Sequence, residues 1–136
     1  MKLSRTVSYA LQATLQLAEQ DMAVPVPCSR LAAKGKMPER FLLQILRNLV
    51  AHGILESTRG VEGGYALERP PVDISLLEVI EAIDGPLAPV LPMSDGLPPE
   101  TKSRLEDTIS VVTDLARREL GSVTLADLLP SPARMR

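Results

Sequence analysis

Hydrophobic positions recur with helical spacing near the start of the chain. Val7, Leu11, Leu15 and Ala18 fall on one side of a helix, and polar residues take the other side. The pattern predicts a helix over residues 4–20 with Ser4 as its N-cap, because a serine hydroxyl can accept a hydrogen bond from a first-turn amide. The segment 23–27 contains two prolines and cannot continue this helix, since proline lacks the backbone N–H.

Two further helices are predicted next. Ser29 is the expected N-cap of a short helix over residues 30–34, and Gly35 is expected to end it. Pro38 suits the first turn of a third, longer helix that runs to about residue 52. Its apolar stripe is predicted to consist of Phe41, Leu42, Ile45, Leu46, Leu49 and Val50. Two helices joined by a few residues that include glycine, the second one longer, are typical of a helix-turn-helix.

A β-hairpin is predicted directly after these helices. Residues 54–59 and 65–67 have strand patterns, and the glycine-rich segment 60–64 separates them. A hairpin in this place is the wing of a winged helix-turn-helix. Ser75 is then the expected N-cap of a fourth helix over residues 76–83, which Gly85 ends.

The second half begins with a loop, because residues 85–100 carry five Pro and two Gly. Residues 100–120 predict a long helix with Gly121 just past its end, and Thr124 is the expected N-cap of a last helix over residues 125–129. The predicted fold is mainly α with a small β-hairpin wing. It divides into a winged helix-turn-helix head (1–85), a Pro-rich linker loop (86–99) and a long dimerisation helix with a short C-terminal helix (100–136).

Composition narrows the class of protein. Apolar residues make up 45% of the 136 positions, which is enough for a core. No run is long and apolar enough to span a bilayer, and the first residues lack the apolar block of a signal peptide. The single cysteine, Cys28, excludes an intrachain disulfide and suits a reducing compartment. We therefore expect a cytoplasmic protein without membrane association.

Charge is distributed unevenly along the chain. The net charge is −2, but residues 1–60 hold eight Lys or Arg against four Asp or Glu, and residues 61–136 hold seven against thirteen. A basic front half and an acidic back half are expected when one face of a protein meets phosphate and the other does not. Ordinary scatter of surface charge is the alternative.

Several short motifs follow one another through the head. They are Tyr9-Ala10-Leu11, Pro38 to Leu42, Ile45 to Leu49, Gly53-Ile54-Leu55, Ser57 to Gly60, Gly63 to Leu67 and Ser75 to Ile80. Together they resemble the Rrf2 family of bacterial regulators, the group of IscR, NsrR and CymR. The wing, with its Arg-Gly and Gly-Gly-Tyr, is the most specific part. The resemblance extends to about Gly85 and returns near Val123 to Leu125.

This resemblance implies a sequence-specific DNA-binding transcriptional regulator that acts as a homodimer on a palindromic site, with repression as the expected mode. The long helix of each subunit would pack on its mate. The expected dimerisation residues lie along the apolar stripe of that helix: Leu105, Ile109, Val112, Leu115 and Ala116. The stripe could also serve as core within one chain, but a head this small is not expected to cover all of it.

The resemblance also bears on cofactors. Many family members hold an iron–sulfur cluster on three cysteines in the loop before the long helix. Here that loop, residues 86–97, has no cysteine. Iron–sulfur clusters are held mainly by thiolates, so we expect no cluster and no other cofactor.

Candidate DNA-binding residues follow from the predicted helices and wing. The N-terminal part of a recognition helix reaches base edges in the major groove, where Arg pairs with guanine and Gln with adenine. An arginine at a wing tip can enter the minor groove. The expected set is Arg5, Ser29, Lys36, Pro38, Glu39, Arg40, Gln44, Arg47, Thr58, Arg59 and Gly60. The alternative for any one of them is an ordinary solvated surface residue.

Two features suggest sensing. Cys28 lies beside the start of the second helix, whose dipole can lower the pKa of the thiol and permit a redox switch; for a single cysteine, however, we favour a half-buried apolar role. The Pro-rich loop near Leu91 and Met93 is a candidate border of a pocket for an unknown small-molecule effector. His52 is expected to contact the last carbonyls of its helix, and no spacing of His, Cys and carboxylates predicts a metal site.

Other classes of function remain open at this point. A winged-helix module for protein–protein contact, without DNA binding, is the main alternative, and the acidic overall charge is its best support. No nucleophile–base pair, phosphate loop or metal set predicts an enzyme.

Overall fold

The computed structural model describes residues 1–92 and 94–130, and within them it contains helices and one antiparallel hairpin in the predicted order. The elements are α1 (Arg5–Ala18), α2 (Cys28–Gly35), α3 (Glu39–Ala51), β1 (Leu55–Thr58), β2 (Gly64–Leu67), α4 (Leu76–Asp84), α5 (Pro99–Ser122) and α6 (Leu125–Leu128). Two short 3-10 turns at Pro71–Asp73 and Ser94–Gly96 were not predicted. Met93, named above as a pocket border, and residues 131–136 of the last segment lie outside the described residues.

The core is formed where α3 lies against α1, α2 and α4. Leu42, Leu46 and Leu49 of α3 are fully buried, and Leu125 of α6 belongs to the same cluster. This confirms the mainly α fold with a hairpin wing. Burying one face of α3 leaves its opposite face to solvent, because an amphipathic helix has a single apolar side.

Three predicted N-caps are confirmed. The Ser4 hydroxyl accepts a hydrogen bond from the Val7 amide at 3.1 Å. Ser75 and Thr124 each form a reciprocal capping box with the acidic residue three positions later, Glu78 and Asp127. Burial alone would raise the pKa of Glu78, but hydrogen bonds from Arg69 and from Ser75, with the charge of Arg69, together lower it.

The ends of α2 differ from the prediction. Ser29 is not the N-cap: Pro27 is, and its carbonyl accepts hydrogen bonds from the amides of Arg30 and Leu31. Gly35 is the last residue of α2 and not the stop beyond it, because the left-handed conformation after the helix is taken by Lys36, at φ 54°. A Cβ at position 35 would meet Met37 Cε, the flexible end of a side chain that would have to shift.

The boundaries of two other helices also differ. Pro38 is the N-cap of α3 rather than a residue of its first turn. The helix α5 does not stop before Gly121 but continues to Ser122, and Val123 then turns extended. The reason lies in the tertiary structure: the Leu76 amide bonds the Val123 carbonyl at 2.8 Å, and this pairing sets where the helix must end.

Phe41 is a further correction. It was expected in the apolar stripe of α3, but 45% of it is exposed. Its ring meets the edge of Tyr9 of α1, with ring centroids 5.9 Å apart. The buried face of α3 is therefore narrower than predicted.

The wing is joined to the helix-turn-helix by a backbone pairing. Val26, in the connection before α2, exchanges two N–H···O bonds of 2.8 Å with Tyr65 of β2. Gly64 lies at this crossing, and a Cβ there would collide with the backbone of Val26. The absence of a side chain at position 64 is what allows the two segments to meet.

The C-terminal elements return to the head. Besides the bond between Leu76 and Val123, the Leu125 amide donates to the Ile74 carbonyl at 2.9 Å. Glu81 of α4 accepts hydrogen bonds from Arg117 of α5 and from the Leu87 amide, and Arg117 also donates to the Leu87 carbonyl. One carboxylate thus ties together the fourth helix, the linker and the long helix.

Replacing Gly64 by alanine should lower the free energy of unfolding by ~1–3 kcal/mol, because the new methyl group overpacks the crossing with Val26. Urea unfolding followed by circular dichroism measures the change. Gly96→Ala is the matched control: a Cβ there meets nothing, so an effect within about 0.5 kcal/mol is expected. Equal stability of both variants would contradict a steric role for the crossing.

Candidate nucleic-acid interface

The outer face of α3 is open to solvent. Glu39, Arg40, Gln44 and Arg47 are all exposed, on the side opposite the buried leucines. Within this face the Gln44 amide donates to Asn48 at 3.4 Å. The helix therefore presents polar and charged side chains outward along several turns, as the sequence predicted for its orientation.

The N-termini of α2 and α3 lie side by side. The Cys28 thiol donates to the Glu39 carbonyl, with sulfur and oxygen 3.7 Å apart. A crevice of about 390 Å³ between the two helices is lined by Cys28, Glu39, Arg40 and Leu43. Because Ser29 directly follows Cys28, this contact sets the first turn of α2 beside the first turn of α3. Lys36 and Pro38, both exposed, lie in the connection between the helices.

The hairpin extends the same surface. Thr58, Arg59 and Gly60 are exposed, and Gly60 has a φ of 111°, which favours glycine. The wing tip and the start of α2 border a second crevice, of about 470 Å³, lined by Val61 and Glu62 on one side and Arg30 on the other. Through the pairing of Val26 with Tyr65, wing and helix-turn-helix form one continuous face.

The cations of this face are free of ion pairs. In the part of the chain that the structure describes, the ion pairs join Lys34 to Glu19, Arg69 to Glu78 and Arg117 to Glu81. None involves the exposed cations at the start of α2, in the turn after it, on α3 or on the wing: Arg30, Lys36, Arg40, Arg47 and Arg59. Their charge is therefore available to an external anion.

Arg5 stands somewhat apart. It is exposed at the first residue of α1, where Ser4 donates to the carboxylate of Asp84 at the end of α4. No hydrogen bond or ion pair among the described residues joins the Arg5 side chain to the α2–α3–wing face.

The sequence prediction missed two residues of this face. Arg30 is exposed and lies across a crevice from the wing, and Val61 at the wing tip is fully exposed. The pairing of Val26 with Tyr65 brings the start of α2 and the wing together, and that contact joins residues distant in sequence. The glycine-rich turn was the one local signal that marked Val61 as part of a protruding tip.

Cys28 is half-buried, as favoured above. A lowered pKa at this helix N-terminus was the premise of the other reading, a redox switch. Burial, and secondly the negative charge of Glu39, instead raise its pKa. Lost hydration and a carboxylate from the next helix both favour the neutral thiol over the thiolate.

The long helix α5 has two different faces. Leu105, Val112 and Leu115 of the expected stripe are exposed, and Val111, which was not predicted, joins them with 59% of its surface in solvent. Ile109 and Ala116 are half-buried instead. No residue of α5 is fully buried. Its apolar side is thus left uncovered by the chain's own head.

Three further observations on the described residues concern His52, metal binding and membrane spanning. The His52 ring lies 2.8 Å from the Asn48 carbonyl, at the end of α3, as expected. Among the described residues, no group of His, Cys, Asp and Glu could hold a metal ion. None of the helices described has both the length and the apolar character needed to cross a bilayer.

Comparison with known proteins places the chain in a family. A Mycobacterium tuberculosis protein, Rv1287, which is named an HTH-type transcriptional regulator, is 38% identical over 130 residues, which cover 94% of this chain and 81% of that protein. The structure of Bacillus subtilis CymR superposes with a TM-score of 0.75 at 28% identity, covering 94% of this chain and 95% of that one. T. potens IscR gives a TM-score of 0.71 at 31% identity, covering 94% and 85%. The model of the Rrf2 family, described as an iron-dependent transcriptional regulator, matches residues 3–131, and the chain belongs to this family.

Proposed function

We propose that this protein is a transcriptional regulator that binds duplex DNA sequence-specifically as a homodimer, and that it represses the genes it controls. One observation carries the proposal. The α2–α3–wing face is a single exposed surface. The following cations on it have no ion-pair partner among the described residues: Arg30, Lys36, Arg40, Arg47 and Arg59. Phosphate is the anion that such a surface neutralises when it lies along a duplex.

The recognition helix supplies the base contacts. Arg40 and Gln44 are one turn apart on the exposed face of α3, where Arg suits guanine and Gln suits adenine in the major groove. Glu39, at the start of the helix, can accept from cytosine. Arg47, one turn further along, and Lys36 in the preceding turn are placed to meet phosphates instead.

The remaining predicted residues have supporting roles. Ser29, in the first turn of α2, and Pro38 bring backbone close to phosphate. Thr58, Arg59 and Gly60 carry the wing toward the adjacent minor groove, with Arg59 as the side chain that enters it. Arg30, across the crevice from the wing tip, adds a phosphate contact between the two elements. Glu62 at that tip repels phosphate and so limits how deeply the wing can enter.

The homodimer rests on the exposed apolar side of α5. Leu105, Val111, Val112 and Leu115 together present a surface that an isolated chain would leave in water. Packing this side against its equivalent on a second chain buries it and sets two heads at a fixed separation. Two equivalent heads require a palindromic site.

An iron–sulfur cluster does not fit this chain, although the family is described as iron-dependent. The sequence holds one cysteine, and its thiol is bonded to the Glu39 carbonyl within the α2–α3 face. The linker before α5 offers no thiolate. We propose regulation without a cluster or other cofactor and without an enzymatic step, in the cytoplasm, where bacterial DNA is accessible.

Replacing Arg40 by alanine should weaken specific DNA binding by about 1–3 kcal/mol and relax the preference at one base pair, if its guanidinium pairs with guanine. The site is first obtained by selecting bound fragments from a random DNA pool, and affinities are then measured by gel shift over a range of salt concentrations. Binding by the native protein should fall steeply with salt, because counterions are released from DNA.

Arg118→Ala is the matched control, since Arg118 is exposed on α5, away from the α2–α3–wing face. It should leave affinity and sequence preference unchanged. Failure of the native protein to retain any fragment would favour the alternative, a winged-helix module that contacts proteins only. Equal losses for both variants would show that overall charge, rather than a base contact, is responsible.

Introducing two aspartates, Val112→Asp with Leu115→Asp, should convert the dimer to a monomer. Each buried aliphatic side chain contributes about 1.5–3 kcal/mol, and each substitution is present twice in a dimer. Light scattering after size exclusion measures the mass. Val72→Asp, at an exposed valine in the 3-10 turn before α4, is the control and should remain dimeric. A native protein that is monomeric at micromolar concentration would refute the interface.

The thiol of Cys28 should react slowly with iodoacetamide at neutral pH, because burial and Glu39 raise its pKa and only the thiolate is reactive. The pH at which the alkylation rate is half-maximal should lie above that of free cysteine. Glu39→Gln should lower this midpoint without removing the contribution of burial. A midpoint below that of free cysteine would revive Cys28 as a redox switch.

A further inference from the structure

A cavity of about 550 Å³ lies between the linker and the first turns of α5. The linker side is formed by Pro89, Val90, Leu91 and the buried Ser94. Much of the other side is formed by one face of α5, at positions 102, 106, 109 and 110. This volume is in the range of small-molecule sites. The four positions lie on the face of α5 turned toward its own linker, not on the exposed side of Val111, Val112 and Leu115.

Three charged side chains line this cavity, and all three lack a partner. Lys102 is half-buried, and Glu106 and Asp107 are exposed at its rim. Among the residues that the structure describes, none of these side chains forms an ion pair or a hydrogen bond. Lys102 and Glu106 are four apart on the helix but in the weaker orientation, with the cation N-terminal to the anion.

The remaining lining is apolar. Val90 and Leu91 of the linker and Ile109 of α5 contribute aliphatic walls. The cation and the two anions lie within about a turn and a half of one another on α5, and the linker faces them with aliphatic side chains. One type of molecule matches this lining. It carries a carboxylate, an ammonium group and an aliphatic body.

We infer that this cavity binds a small zwitterion of the amino-acid type. Its carboxylate pairs with Lys102, its ammonium group with Glu106 and Asp107, and its aliphatic side chain packs on Val90, Leu91 and Ile109. The inference extends the regulator proposed above by naming the class of its effector. The wall at Pro89 follows two residues after Leu87, which Glu81 and Arg117 hold to the head. A ligand there therefore contacts the segment that connects the two parts of the chain.

The test is isothermal titration calorimetry of the full chain with L-leucine and L-methionine. Saturable binding of one of them is expected. Two analogues of leucine, 4-methylpentanoate without the ammonium group and 3-methylbutylamine without the carboxylate, should each bind about tenfold more weakly or worse, because each loses a charge-assisted bond. These arms use the native protein, so they do not depend on any variant folding.

Variants then assign the two charges. Lys102→Met should weaken binding of the amino acid about tenfold but leave binding of 3-methylbutylamine unaffected, because that analogue has no carboxylate. Glu106→Gln with Asp107→Asn should also weaken binding of the amino acid but leave binding of 4-methylpentanoate unaffected, because that analogue has no ammonium group. Arg104→Met, on the same helix but outside the cavity lining, is the control. The inference would be overturned if neither amino acid bound saturably, if either analogue bound as tightly as leucine, or if these substitutions left the affinities unchanged. DNA binding is measured separately by gel shift, so failure of the regulator proposal and failure of this one remain distinguishable.

Discussion

The pairing of Val26 with Tyr65 is the contact on which the candidate interface depends. A two-stranded hairpin is marginal by itself in water, and this one gains a third backbone segment through two hydrogen bonds of 2.8 Å. The same bonds fix the segment that leads into α2, so the wing and the helix-turn-helix cannot move independently. Without them, the cations of the hairpin and of α3 would lie on separate elements, and no single rigid surface would meet a duplex.

Local signals predicted the helices and several of their ends. Ser4, Ser75 and Thr124 were identifiable because a capping hydroxyl acts on amides within its own first turn. Gly35 and Gly121 gave helix ends that differ from the observed ones. Lys36, and not Gly35, takes the left-handed conformation after α2. Strand-like pairing of Val123 with Leu76, distant in sequence, ends α5 after Ser122.

The candidate interface was predictable to the same degree. The outward face of α3 followed from its periodicity, so Arg40, Gln44 and Arg47 were found from sequence. Arg30 was not, because its neighbourhood depends on a bridge between residues far apart in the chain. The direction of the pKa shift of Cys28 could not be predicted for the same reason, since Glu39, one of the groups that raise it, belongs to another helix. Patterns within one element predict its orientation, but interactions between elements set its chemistry.

An acidic protein can present a basic face to DNA when its anions are neutralised or placed elsewhere. Glu78 and Glu81 are paired with arginines of the same back half, Arg69 and Arg117. Each pair is neutral overall and therefore contributes little to the long-range electrostatic field. The cations of the α2–α3–wing face have no such partners. Pairing in the back half also has a mechanical consequence, because the Glu81–Arg117 contact holds the linker at Leu87. The same interactions that keep acidic residues from opposing DNA therefore connect the long helix to the head, so a change in the linker would be felt by α4 and by the core beneath α3.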